Sequence, residues 1–354
     1  MQSVHQPSRF LGIDVAKDTL VVCLDGTKKT RKFTNDEPGI QALLNWLGEE
    51  ASSYRATMEA TSRYHRLAER TLVNAGISVE LVNPRRARSL AIGLGLTDKD
   101  DAVDARVLAE AARLLQAQAR QLESLAAQDL KDHSRAIDAV KSDASDFLKR
   151  MDGLDKDSPA YQAFQKAAKL LKALAVSEER LWEKQVAQDP ETQRRYTLAK
   201  TVPDVGHVTA RIASVELPAH MEGANTRKLT AYAGLAPRRH QSGNMELEPR
   251  IYGGNAHLRT GLFMAAIHAV YQGQKRYSAY YNQLAQRSHI CIKSKGGRHL
   301  KAIVAVMRKV LANIIAVIQR NSPWETTPPR ENLRPKPWSN SSTTVPYQPL
   351  IDNS

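Results

Sequence analysis

Residues 9–25 read RFLGIDVAKDTLVVCLD, and the fold turns on how that stretch is parsed. Two apolar runs, 9–16 and 19–25, flank the turn-like pair Lys17-Asp18. This pattern predicts two strands folded back on each other, and residues 28–34 alternate toward a third. Asp14 stands between Ile13 and Val15 inside the first run, where an unpaired carboxylate is costly to bury.

The segments beyond it extend the pattern. Residues 39–50 have helical spacing, with Ile40, Leu43, Leu44 and Leu47 on one face. Residues 54–60 read as a strand, 65–74 as a helix closed by Gly76, and 78–82 as a strand stopped by Pro84. An alanine- and leucine-rich helix follows over 101–115. The predicted order is three strands, helix, strand, helix, strand, helix. Acids fall on the first strand (Asp14), at the end of the fourth strand (Glu59) and at the start of the last helix (Asp101, Asp104). That is the layout of a ribonuclease-H-like fold.

Asp101 and Asp104 are three residues apart and share a helix face. Four converging carboxylates repel one another unless a cation sits between them, and hard divalent ions such as Mg²⁺ take oxygen ligands. Two ions about 3.5–4 Å apart could be bridged by such a set, activating an attacking oxygen and stabilising a leaving one. The acids therefore point to metal-assisted phosphodiester chemistry. Asp98 and Asp100 read instead as acids favoured by the helix dipole.

The chain has 354 residues, 42% of them apolar and 25% charged, enough for two or three domains with sizeable cores. No apolar run approaches the ~18 uncharged residues of a spanning helix, and MQSVHQPSRF at the start lacks the apolar core of a secretion signal. Cys23 and Cys291 are too few for a disulfide framework or a zinc motif, and both read as small buried hydrophobes. The formal charge is +14 and unevenly spread. Residues 1–200 hold 31 Lys and Arg against 29 Asp and Glu, whereas residues 201–330 hold 18 against 6. A near-neutral carboxylate domain is joined to a basic one, the footprint of a polyanion partner, most often nucleic acid.

Four segments are expected: an α/β metal-binding nuclease domain over 1–115, a helical hairpin or oligomerisation arm over 116–200, a mostly helical basic domain over 201–320, and a mobile tail over 321–354. MDGLDKDSP at 151–159 reads as the turn of the hairpin, whose apolar stripe needs a partner copy or a neighbouring domain. In the basic domain, AGLAPRRHQSGN carries Ser242 after Arg238, Arg239 and His240. A serine hydroxyl is a weak nucleophile until a base or metal removes its proton, and the adjacent arginines suit a phosphate. By itself such a Ser-Gly pair is usually a turn. TVPDVGHVTA resembles a helix-hairpin-helix turn, which offers backbone N–H groups to phosphates, with Asp204 where a glycine is usual. Arg85, Arg86 and Arg88, and Lys293, Lys295, Arg298 and Lys301, are further candidates for phosphate contact. His207, His240 and His257 share no metal-ligand spacing.

GIDVAK, MEATSRYH, DDAVDARVLA, YAGLAPRRHQSG and RIYGGNAHLR, in that order, resemble the motifs of DEDD-type transposases of the insertion-sequence 110 family, relatives of the Piv DNA invertase. The resemblance spans about residues 9–320. It implies a RuvC-like domain whose Asp14, Glu59, Asp101 and Asp104 bind Mg²⁺, or Mn²⁺ in its place, then a helical coiled-coil-like insertion and a mostly helical transposase domain. There Ser242 would attack a DNA phosphate to give a 5′-phosphoserine link. The implied partners are donor and target DNA, a bridge RNA pairing with both, and further copies in a dimer or tetramer whose two sites combine across subunits. Arg238, Arg239, Arg259, Lys293, Lys295 and Arg298 would contact nucleic acid. A cytoplasmic, nucleoid-associated bacterial protein is implied, with no membrane. RIYGGNAHLR departs from the pattern in lacking the lysine common before its glycines. Three rival readings share parts of this pattern: a junction nuclease using water, an invertase acting without RNA, and a non-catalytic nucleic-acid binder. A kinase-like nucleotide binder fits least, for want of a glycine-rich phosphate loop after the first strand.

Overall fold

The computed structural model describes residues 9–325, apart from 28, 61–62, 97, 99, 116–121, 219–220, 222–223, 243–244, 274 and 287–298, with the backbone alone at 115, 239–242, 245–248 and 275. The chain divides into two compact units, one ending at Ser124 and the other beginning at Leu125. The expected tail and the Lys293–Lys295–Arg298 cluster lie largely or wholly outside the described residues.

The first unit is a five-stranded mixed sheet with helices. Its elements are β1 (Arg9–Val15), β2 (Thr19–Leu24), β3 (Thr30–Thr34), α1 (Glu37–Leu47), β4 (Tyr54–Glu59), α2 (His65–Asn74), β5 (Ser78–Val82), α3 (Pro84–Gly93) and α4 (Asp101–Leu115). The sheet order is β3-β2-β1-β4-β5, antiparallel among β1 to β3 and parallel from β1 through β4 to β5. Strand alternation sorts the two faces. Leu11, Ile13, Val15, Leu20, Val22, Ala56, Met58 and Val79 are buried in one core with residues of α1 and α2, such as Ile40, Leu43, Ala68 and Leu72. On the other face Val21 and Cys23 pack on Ala105 of α4, and Val82 on Ala87 and Leu108.

The expected elements of this unit are all present, within a few residues of the expected ends. One was missed. Pro84 does not merely stop β5; it opens α3, with the Asn83 side chain accepting from Arg85 N at 2.9 Å as the N-cap. Proline is well tolerated in the first helical turn, where its missing N–H has no partner to lose.

The second unit contains α5 (Leu125–Arg150), α6 (Pro159–Val186), α7 (Pro190–Thr201), α8 (His207–Glu216), α9 (Thr226–Tyr232), the hairpin β6 (Arg238–Ser242) and β7 (Met245–Arg250), α10 (Ala256–Tyr271), α11 (Lys275–Ala285) and α12 (Leu300–Arg320). The turn over 151–158 separates α5 from α6 as expected, and Ser158 caps α6 by accepting from Tyr161 N at 3.2 Å. A second break, read from sequence as continuous helix, falls at 187–189. There Asp189 caps α7 and Pro190 starts it. The β6–β7 hairpin is likewise an addition to a domain expected to be mostly helical.

Leu130, Ile137, Trp182 and Val186, at the base of the α5–α6 pair, share one core with α7, α8, α10 and α12. The Trp182 indole donates to Leu130 O at 2.9 Å. On the solvent side of α6, Leu170, Leu174 and Leu181 are 62%, 45% and 44% exposed. Helix α12 has the length and hydropathy of a membrane span. Its Ile303, Val306, Val310, Ile314 and Val317 are fully buried in the core of this unit, as a central core helix requires.

Candidate functional site

The acids of the first unit are placed by strand register and by one glycine. Ile13 of β1 lies opposite Met58 of the parallel β4, so Asp14 and Glu59, one residue on, leave the sheet side by side on the α4 face. Gly12 shares that face. A methyl group there would collide with the backbone of Ala105, Leu108 and Ala109, so α4 lies directly against β1. This close approach carries the first turn of α4, with Asp101 and Asp104, to the end of the sheet that bears Asp14 and Glu59. Asn35 fastens the surrounding segments, its side-chain amide donating to Ala16 O at 2.9 Å and Tyr64 O at 3.0 Å.

The electrostatics reports the crowding. Burial pushes the Asp14 carboxyl up, and the charges of Asp101, Asp104 and Glu59 push it further, against one backbone hydrogen bond at Val15, to about 6. A cleft of about 360 Å³ opens beside them, lined by Glu59, Asp104, Arg88, Pro84, Ala87, Val107 and Leu108. Among the described residues no group of three or more His, Cys, Asp or Glu side chains is arranged to hold a metal ion. The donor chemistry nonetheless suits a hard cation: Asp101, Asp104 and Glu59 all act on Asp14, and a cation beside Asp14 would relieve the repulsion that raises it.

Two residues on this face carry no motif. Glu80 of β5 is only 7% exposed and lies opposite Thr57, two residues before Glu59 on β4, and the Thr57 hydroxyl is buried with no hydrogen-bond partner among the described residues. The one signal for Glu80 is its acid between Val79 and Leu81 in a five-residue strand. Arg88 is legible as basic, but only the turn of α3 shows that it shares a cleft with Glu59 and Asp104.

In the second unit Ser242 is the last residue of β6, paired with Met245 across the hairpin end. Arg238, at the start of that strand, lies over the Tyr252 ring at 4.8 Å. Arg259 is engaged at the hairpin base, where Nη1 donates to Gly253 O at 2.6 Å and Ala233 O at 3.5 Å. The side chain of Arg239, and Lys293, Lys295 and Arg298 altogether, lie outside the described residues. Asp204 adopts the left-handed conformation, φ 65°, which explains why a glycine would also serve there. Its side chain is 7% exposed and lies 3.7 Å from His268 Nδ1, so the carboxylate is tucked under the turn rather than presented to a phosphate. Cys23 is buried, as expected of a small hydrophobe. His257 lies between two carboxylates in a part-buried network at which sequence spacing does not hint.

Comparison with known proteins accords with this layout. Residues 11–154 match the family model for the DEDD domain of IS110 transposases, described as "Transposase". Residues 196–282 match a second, described as "Transposase IS116/IS110/IS902 family". The chain is 26% identical over 335 residues to the "Pilin gene-inverting protein" of Moraxella bovis, covering 89% of this chain and 97% of the relative. The protein of the same name from Moraxella lacunata is similar to the same extent. With its carboxylate unit matched by one model and its basic unit by the next, the chain belongs to the IS110 family of transposases.

Proposed function

We propose that the protein is a recombinase of an insertion sequence that cuts and rejoins DNA through a serine-linked intermediate, using a RuvC-like Mg²⁺ site formed by Asp14, Glu59, Asp101 and Asp104. The observation that carries this reading is that strand register sets Asp14 and Glu59 side by side under the first turn of α4, with Glu59, Asp101 and Asp104 all close enough to act on the half-buried Asp14 carboxyl. The strand order β3-β2-β1-β4-β5, with the acids on β1, β4 and the helix covering them, supports the ribonuclease-H-like assignment. Mg²⁺ held there, or Mn²⁺, would supply Lewis-acid stabilisation of charge on the phosphate oxygens.

The chain's own groups do the rest. Ser242 Oγ forms a bond to phosphorus as the bond from phosphorus to the 3′-oxygen breaks. The serine proton is released to a base and the 3′-oxygen takes one up, leaving a 5′-phosphoserine and a free 3′-hydroxyl. Attack by another strand's 3′-hydroxyl reverses the step and joins new ends. One diester is exchanged for another, so no outside energy source is required. Arg88 lines the cleft with Glu59 and Asp104, which supports a role in holding a phosphate oxygen. The basic charge of residues 201–330 supports binding of donor and target DNA and of a bridge RNA. The exposed leucines of α6 support assembly with further copies of the chain.

Purified protein, DNA carrying the element ends, and RNA from the flanking region should give protein–DNA adducts that survive denaturant. Ser242→Ala should abolish them. Cleavage that persists in that variant without an adduct would establish a water nucleophile instead. The two relatives named as pilin gene-inverting proteins favour a second reading, DNA inversion, which could proceed without an RNA guide. Activity that survives ribonuclease treatment would select it.

A further inference from the structure

Both ring nitrogens of His257 face carboxylates. Nδ1 lies 2.9 Å from Glu216 Oε1, and Nε2 lies 2.6 Å from Asp138 Oδ2. Glu216 is fully buried. It also accepts from Arg135 Nε and Nη2 at 2.6 and 2.9 Å and from the Asn255 amide at 2.7 Å. Asp138 accepts in addition from Arg211. Burial alone would raise both acids, but their donors outweigh it: His257, Arg135 and Asn255 hold Glu216 well below the usual carboxylate range, and His257 with Arg211 holds Asp138 below its ordinary value. An ionised carboxylate only accepts, so a ring lying between two of them must donate from both nitrogens, which only the imidazolium can do. A neutral ring turns a lone pair toward one carboxylate and loses that link.

The network joins elements far apart in sequence. Asp138 and Arg135 belong to α5; Glu216 and Arg211 belong to α8; Asn255 caps α10, and His257 is in its first turn. The Tyr232 hydroxyl, at the end of α9, donates to Glu216 O at 2.9 Å. The same place is where both ends of the Ser242 hairpin are held. Asn255 N donates to Tyr232 O at 2.7 Å, and Arg259 donates to Gly253 O and Ala233 O. Gly254 sits so close to Gly234 and Tyr232 O that a methyl group would not fit.

We propose that His257, as a charged double donor between Asp138 and Glu216, is a positioning residue that fixes the base of the Ser242 hairpin against the arm helix α5, and that the hairpin is aligned only while the ring is protonated. The groups facing it are Asp138 and Arg135 from α5, Glu216 and Arg211 from α8, and Tyr232 from α9. The arginines stay charged and the two acids stay ionised through neutral and alkaline pH, so the ring is the member whose charge changes. Burial lowers its pKa, but the hydrogen bonds it donates to Asp138 and Glu216 outweigh this and raise it to about 8. The catalytic consequence rests on the reading of Ser242 as nucleophile; the mechanical one does not.

The test uses the full-length wild type, His257→Gln and His257→Arg between pH 6 and 9.5. Two quantities are followed: amide exchange of peptides spanning 230–236 and 250–258, corrected for intrinsic rate, and the rate of adduct formation on saturating DNA. Wild-type protection at these peptides should fall roughly tenfold as pH rises through the ring's pKa. Protection should be low at every pH in His257→Gln and high at every pH in His257→Arg, with α12 peptides unchanged in all three. Adduct formation should follow, slower in His257→Gln on the order of 10–100-fold at neutral pH with DNA binding kept. A serine that needed only deprotonation would quicken with pH, so an alkaline fall abolished by His257→Arg is diagnostic. Wild-type protection independent of pH, or His257→Gln protected like the wild type, overturns the proposal. If protection behaves as expected but no adduct forms even in the wild type, the positioning role stands and the nucleophile assignment fails. Adducts with an unchanged pH profile in His257→Gln give the reverse.

Discussion

Asp14 and Gly12 lie two residues apart on one face of β1, and each makes sense only through the other. Gly12 admits α4 to the sheet surface; Asp14 is pushed up to about 6 first by burial and then by the acids that α4 and β4 bring beside it. Asp14→Asn removes one charge from this crowd. Its melting temperature without metal should therefore equal or exceed that of the wild type, while the rise on adding Mg²⁺ should shrink. Strand cleavage should fall by on the order of 10³-fold. A variant less stable than the wild type without metal would mean that the carboxylate is structurally needed. Gly12→Ala should act differently. Its methyl meets backbone rather than a movable side chain, so a loss of about 1–3 kcal/mol is expected on denaturant unfolding, together with displaced acids and weaker Mg²⁺ binding by calorimetry. Asp14 was legible because a carboxylate within an apolar run is too costly to bury unless a partner or a cation compensates it. Gly12 was not, because the sequence does not say what a strand glycine lies against.

At the scale of the element, the α5–α6 pair shows where periodicity stops being informative. Its base residues Leu130, Ile137, Trp182 and Val186 are buried in the second unit's core, while Leu170, Leu174 and Leu181 on the same pair are solvent-exposed. Residues 170, 174 and 181 follow helical spacing along one side of α6, a stripe of the kind that covers itself by association. Replacing all three by glutamine should leave helicity by circular dichroism unchanged and shift the protein toward monomer in light scattering. Unchanged mass at every concentration would assign assembly to another surface. The hairpin β6–β7 is not legible in the sequence because RRHQS and MELEPR alternate too little hydrophobicity to announce strands. Helix α3 is hidden because Pro84 ends one element and begins another, and the proline alone cannot say which.

For the whole molecule, two compact units imply two melting events. Mg²⁺ should raise the transition of the first unit by mass action, about 2.7 kcal/mol at a hundredfold excess over Kd, and leave the second unmoved. Alkaline pH should do the reverse. His257 is raised in the folded protein to about 8, above the ordinary value of about 6.5. Its contribution is therefore complete below pH ~6.5 and lost as pH rises through 8, at most about 2 kcal/mol. Calorimetric scans at pH 6.5 and 9 should show the second unit's transition falling while the first holds, and a drop confined to the first would place the titrating group elsewhere. The sequence by itself determined the strands of the first unit and its helices other than α3, the four acids as candidates, the basic second half and the family, because alternation, spacing and motif order are local properties written along the chain. Only the tertiary structure decided that Arg88 lines the acid cleft, that Glu80 is buried opposite Thr57 on the sheet, that Asp204 turns inward, that Arg259 is engaged at a hairpin base, and that His257 joins two carboxylates more than seventy residues apart in the chain. A buried charge takes its meaning from the partners that share its low-dielectric surroundings, and those partners are chosen by packing, not by proximity in sequence.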